Sequence, residues 1–89
     1  MPNYEVHYLN VSDADAIIIR YEDSLNKYIV LIDAGNIGDA NKIKNYIWNH
    51  WKTYTIDLAI CTHPDSDHKG GFFGLLNDTN VIINEFWLN

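Results

Sequence analysis

The stretch Cys61-Thr62-His63-Pro64-Asp65-Ser66-Asp67-His68-Lys69-Gly70-Gly71 constrains this chain more than any other. Four side chains able to bind a metal, His63, Asp65, Asp67 and His68, fall within six positions. An apolar run from Ile56 to Ile60 leads into them, and a glycine pair closes the segment before a second apolar run. A strand that delivers ligands into a loop, with a helix opening just beyond, is a way to build a metal site that faces water.

Imidazole suits zinc, copper, iron and nickel, while carboxylate suits harder ions. A mixed His/Asp set therefore fits zinc, manganese or iron and does not fit a pure calcium cage. In an extended loop the alternating His63, Asp65 and Asp67 point the same way, and His68 points elsewhere. One compact site cannot easily use all four. Two neighbouring metals can, with His63 and Asp65 on one and Asp67 and His68 on the other. Paired metals clamp the attacking and leaving oxygens of a hydrolytic displacement. The competing reading is a solvated loop in which Asp67 caps the helix and His63 merely ends a strand. The spacing His-x-Asp-x-Asp-His between an apolar strand and Gly-Gly favours the metal motif.

Thr62 to Gly71 resembles the second motif of the metallo-β-lactamase superfamily, written His-x-His-x-Asp-His. An Asp in the second ligand position, preceded by Thr-His-Pro, is most similar to the ComEC-type branch, which includes the soluble domain of DNA-uptake proteins. The resemblance implies an α+β fold, half of an αββα sandwich, with a mixed sheet of about five strands and two helices on one face. It implies that His63, Asp65, Asp67 and His68 bind a divalent metal, zinc foremost and manganese or iron as alternatives. Asp67 would also orient the nucleophile. Ile32-Asp33-Ala34-Gly35 resembles the superfamily's first motif, in which Asp33 braces the metal-bearing loop. Read from the residues alone, Asp33 either orients a ligand from behind or starts a turn before glycine. Leu9 to Ala16 takes the place of a Val-Gly-Gln-Gly-Asp-Ala motif. Asp15 is retained there, while Ser12 and Ala14 replace the glycines and Asp13 the glutamine.

Eighty-nine residues fit one domain, 1–89, and a composition 47% hydrophobic and 13% aromatic supports a packed core rather than disorder. Net charge is −6, with no basic patch to mark a nucleic-acid surface. Cys61 is the single cysteine, so no intrachain disulfide can form, and it reads as a small buried hydrophobe. No cationic-then-apolar leader opens the chain, and no apolar stretch reaches the length of a membrane span. A cytoplasmic protein without a membrane segment is expected.

In chain order, strands are expected over Tyr4 to Val11, Ala16 to Tyr21 and Tyr28 to Ile32, joined by short polar turns as a meander. Val6 and Tyr8 share one face of the first strand, and Glu5, His7 and Leu9 the other. His7 is read as an ordinary strand residue. The unbroken Ile17-Ile18-Ile19 suits burial on both faces. Asn36 to Asp39 supplies helix-capping chemistry. Ala40, Ile43, Tyr46, Ile47, His50 and Trp51 form one face of an amphipathic helix. Trp48 lies off that stripe. A fourth strand is expected over Ile56 to Thr62 and a parallel pairing through the crossover, with Asp57 as a turn or cap. A short helix follows over Gly70 to Leu76, then a turn, then a strand over Val81 to Leu88 with Trp87 packed on a sheet.

The superfamily's later ligands, a further histidine, a bridging aspartate and a last histidine, have no counterpart after Gly71. Two ligands per metal fall short of the usual three plus an open position. The expected function is that of a metal-dependent hydrolase, phosphodiesterase or nuclease-like in its full-length form. The alternatives are a catalytically incomplete fragment that self-associates, or a thioester, lactone or lactam hydrolase of the same fold. An uncovered apolar sheet face points to a homodimer or a missing C-terminal half as partner, and a phosphodiester or nucleic acid is the expected substrate.

Overall fold

Alternating β-branched and aromatic residues organise the first third of the chain into three antiparallel strands. In the computed structural model, which describes residues 3–11, 14–35, 37–62 and 66–88, these are β1 (Asn3–Val11), β2 (Ala14–Glu22) and β3 (Lys27–Ala34). The turn between β2 and β3 is held by Asp23, whose Oδ1 accepts the N–H groups of Leu25 and Asn26 at 2.8 and 2.6 Å. A single 3-10 turn, Ile37–Asp39, leads into α1 (Ala40–Trp51). Asp39 stands at the expected cap position, but its backbone is helical (φ −92°, ψ −5°) and its side chain makes no capping bond. Capping residues have non-helical backbone, and the preceding turn has already wound this one.

The expected fourth strand divides at Asp57 into β4 (Thr55–Ile56) and β5 (Leu58–Cys61). Asp57 takes the Ile29 N–H on Oδ2 at 2.8 Å and returns its own N–H to the Ile29 carbonyl at 2.9 Å. A β-type exchange at one residue thus bends the chain. The last expected strand divides in the same way into β6 (Ile82–Ile83), paired with β4, and β7 (Phe86–Leu88), paired with β5. Between β5 and β6, α2 spans Ser66–Asn77, starting four residues before the expected Gly70.

The main sheet runs β1-β2-β3-β5-β7, antiparallel on the β1 side and parallel from β3 onward. Parallel neighbours require a long crossover, which the helical segments supply. Facing residues in the register share a face. One face carries Ile18, Leu31 and Ala59, all fully buried. Ile43 and Ile47 of α1 and Phe72 and Leu75 of α2 pack there in a single core. Phe72 meets the edge of Phe86 at 5.1 Å. Full burial of a side chain such as Phe72 contributes about 2 kcal/mol. Both helices therefore cover one face. His50, expected on the core stripe of α1, is exposed instead and turns back to the Tyr46 carbonyl at 2.9 Å.

The other face carries three rows set by the register: Tyr4-Tyr21-Tyr28, Val6-Ile19-Val30-Leu58, and Tyr8-Ile17-Ile32-Ile60-Trp87. Here the expectation for β2 is corrected. Ile18 is buried, whereas Ile17 and Ile19 are half-buried, because the helices shield only alternate residues. Trp87 is also corrected: it is 54% exposed and donates its Nε1–H to Glu85 at 2.6 Å. Trp48 stacks on Tyr54 with centroids 4.6 Å apart. Among the described residues, no helix is long and apolar enough to cross a membrane.

Candidate metal centre

The ends of β3 and β5 lie side by side, because Ile32 pairs with Ile60. Asp33 is the second-last residue of β3, and Thr62 is the residue just past the end of β5. Asp33 is the extra residue of a β-bulge, since Ile17 pairs with Ile32 while Ala16 pairs with Ala34. Its φ is +58°, a left-handed conformation that Asp tolerates better than most side chains. Bulges re-aim side chains, and this one turns the carboxylate toward β5. Oδ1 accepts the Thr62 N–H at 2.9 Å and Oδ2 accepts the Thr62 hydroxyl at 2.6 Å. Asp33 is 7% exposed, so these charge-assisted bonds operate largely out of water. The chain is thereby gripped one residue before His63.

On the far side of the stretch, α2 docks against the same strand end. The Gly71 N–H donates to the Gly35 carbonyl at 3.0 Å. A Cβ at Gly71 would lie 1.9 Å from the Ala34 carbonyl oxygen. Gly71 of the glycine pair seen in the sequence permits this approach.

His63 and Asp65 lie outside the described residues. Asp67 and His68 belong to the first turn of α2, and their side chains are likewise outside the description. Among the described residues, no group of three or more His, Cys, Asp or Glu is placed to hold a metal. His7 and His50 stand elsewhere, in an aromatic cluster between β1 and α1 where His50 stacks on Tyr46 and His7 meets Tyr46, His50 and Trp51 edge-on. Cys61 is buried and free of any disulfide. The residue that sequence reasoning missed is Thr62. The signal was there in its position, directly between a β-strand and the first histidine.

No protein-family model matches the chain, and no curated protein does. Among solved structures, a crystal structure of a metallo-β-lactamase from Hirschia baltica superposes with a TM-score of 0.51 over 92% of this chain, at 19% identity. The fold is similar to that of a metallo-β-lactamase. A five-stranded mixed sheet with two helices on one face is the partial metallo-β-lactamase fold that the motif implied. The chain spans 42% of the length of that structure.

Proposed function

We propose that this chain forms part of a metal-dependent hydrolase that acts on phosphodiesters, nucleic acid among them. The observation that supports this reading is the clasp of Asp33 on Thr62. It holds the β5 end from which a ligand-rich stretch departs, and α2 anchors the other end of that stretch. His63, Asp65, Asp67 and His68 would hold a divalent metal. Their mixed nitrogen and oxygen donors fit zinc, with manganese or iron as alternatives. Bound metal would supply Lewis-acid stabilisation of charge developing on the phosphoryl oxygens. Asp67 would orient the attacking water, and Asp33 would steady the loop through Thr62. The Thr62-His63-Pro64 lead-in and the Asp at position 65 favour the ComEC-type branch, with the cytoplasm as setting.

Elemental analysis of the folded protein, followed by hydrolysis of bis-p-nitrophenyl phosphate with zinc or manganese, tests the reading. Stoichiometric metal and turnover, both lost in His63→Ala, are expected. A well-folded chain with background metal and no turnover overturns it for these 89 residues.

The open sheet face favours a second reading, in which the chain is an assembling subunit. Tyr8, Val6 and Trp87 on that face are 77%, 55% and 54% exposed, and continuous apolar surface of this kind marks association sites. The partner would be a second copy of the chain, or a further half of the domain.

A further inference from the structure

A cleft of about 300 Å³ opens at the end of the sheet remote from Asp33 and Thr62. Its walls include Arg20, Lys27, Trp51, Thr53, Thr55 and Asp57. Arg20 pairs with Ile29 near the start of β3. Asp33 lies four residues further along the strand, about 13 Å away at some 3.3 Å per residue. The cleft is therefore separate from the candidate metal centre.

The unusual group here is Arg20. It is 8% exposed, and among the described residues its Nε is a buried side-chain nitrogen without a hydrogen-bond partner. The Trp51 ring lies 5.6 Å from its Cζ and forms one wall. A buried guanidinium carries a large desolvation penalty unless an anion meets it. The acid in the cleft is already engaged, since Asp57 Oδ2 takes the Ile29 N–H and Oδ1 takes the Asn84 amide at 3.5 Å. Two more donors are available. Thr53 Oγ1 accepts the Thr55 N–H at 3.1 Å, which leaves its own proton free to donate. Lys27 is mostly exposed at the rim, in a loose 3.7 Å pair with Glu22.

We propose that this cleft is an oxyanion site for a small phosphoryl- or carboxylate-bearing molecule. The Arg20 guanidinium presents a planar fork suited to bidentate binding of either group. Trp51 excludes water from one side of the pair, the Thr53 hydroxyl donates a further bond, and Lys27 closes the mouth by charge.

NMR titration of the folded chain with inorganic phosphate, and separately with acetate, at constant ionic strength tests this. Saturable shifts of the Arg20 Nε–H and the Trp51 indole N–H are expected, and the anion that saturates at lower concentration identifies the group. Arg20→Met should weaken binding by at least about tenfold, the effect of losing a charge-assisted pair. Lys27→Ala should weaken it by a smaller factor, and His63→Ala should leave it unchanged. Shifts that grow linearly and match those caused by potassium chloride overturn the proposal. So does saturable binding retained in Arg20→Met. If Arg20→Met does not fold, Lys27→Ala decides, because that side chain is largely exposed and unchanged affinity there removes the cationic mouth.

Discussion

Gly71 and Ala34 meet with no space between them for a side chain, since a Cβ on Gly71 would stand 1.9 Å from the Ala34 carbonyl oxygen. Backbone against backbone is how α2 reaches the end of β3. Gly71→Ala must push the helix away or shift the strand end. Overpacking of this kind costs about 3 kcal/mol. Chemical denaturation of Gly71→Ala should show that loss, whereas Gly38→Ala, where nothing lies within 4 Å, should unfold close to wild type.

Asp33→Asn tests the clasp on Thr62 while keeping the left-handed backbone, because Asn tolerates positive φ as Asp does. The amide retains one acceptor oxygen and loses the charge. A drop in stability of about 2 kcal/mol is expected. Metal affinity should fall as well if the clasp positions the ligand stretch. Unchanged stability in a denaturant titration would show that the two bonds at 2.9 and 2.6 Å contribute little.

Tyr21 and Asp23 make stability depend on pH at both extremes. The Tyr21 hydroxyl donates to Asp23 Oδ2 at 2.6 Å. That bond, followed by the Leu25 and Asn26 N–H groups, holds the Asp23 carboxyl below its usual value of 3.8. The same bond pushes the Tyr21 phenol up to about 12 from 10.0. A depressed acid stabilises the fold above its unfolded value and loses that contribution as pH falls through the folded one. A raised phenol contributes below pH 10 and loses the contribution as pH climbs toward 12. Thermal melts of wild type and Tyr21→Phe across pH should differ most near neutrality and converge at both ends. Of the six tyrosines, Tyr21 should ionise late in an ultraviolet titration.

Val6→Glu places a carboxylate in the row Val6-Ile19-Val30-Leu58 on the open face. If copies of the chain pair through that face, the variant should weaken association by at least about tenfold. Light scattering across micromolar concentrations measures it. A wild-type chain that stays monomeric throughout would remove the assembling-subunit reading.

Much of this was legible beforehand, and the exceptions share a cause. The meander and the amphipathic α1 follow from periodicity within a dozen residues, and such local signals survive folding, while the α+β class was implied by the resemblance of the Thr62-to-Gly71 motif. The splits at Asp57 and before Phe86 were not legible, because they depend on Ile29 and on β5, partners distant in sequence. Trp87 was read as covered because apolar residues usually are, yet its row faces away from both helices. The early start of α2 was hidden by the polar residues Ser66 to Lys69, which read as loop until Gly71 locks onto Ala34.

The His63-to-His68 stretch stands out through residue type and spacing alone, since four potential ligands in six positions need no partner elsewhere to be noticed. Its setting depends on pairing. The β3–β5 register brings Asp33 to Thr62, the bulge aims the carboxylate, and the bare backbone of Gly71 lets α2 close on Ala34. The fold likewise gathers Arg20 of β2, Trp51 at the end of α1 and Thr53 beyond it around one cleft. Residue types carry reactivity locally, while proximity across the sheet is a property of the whole fold.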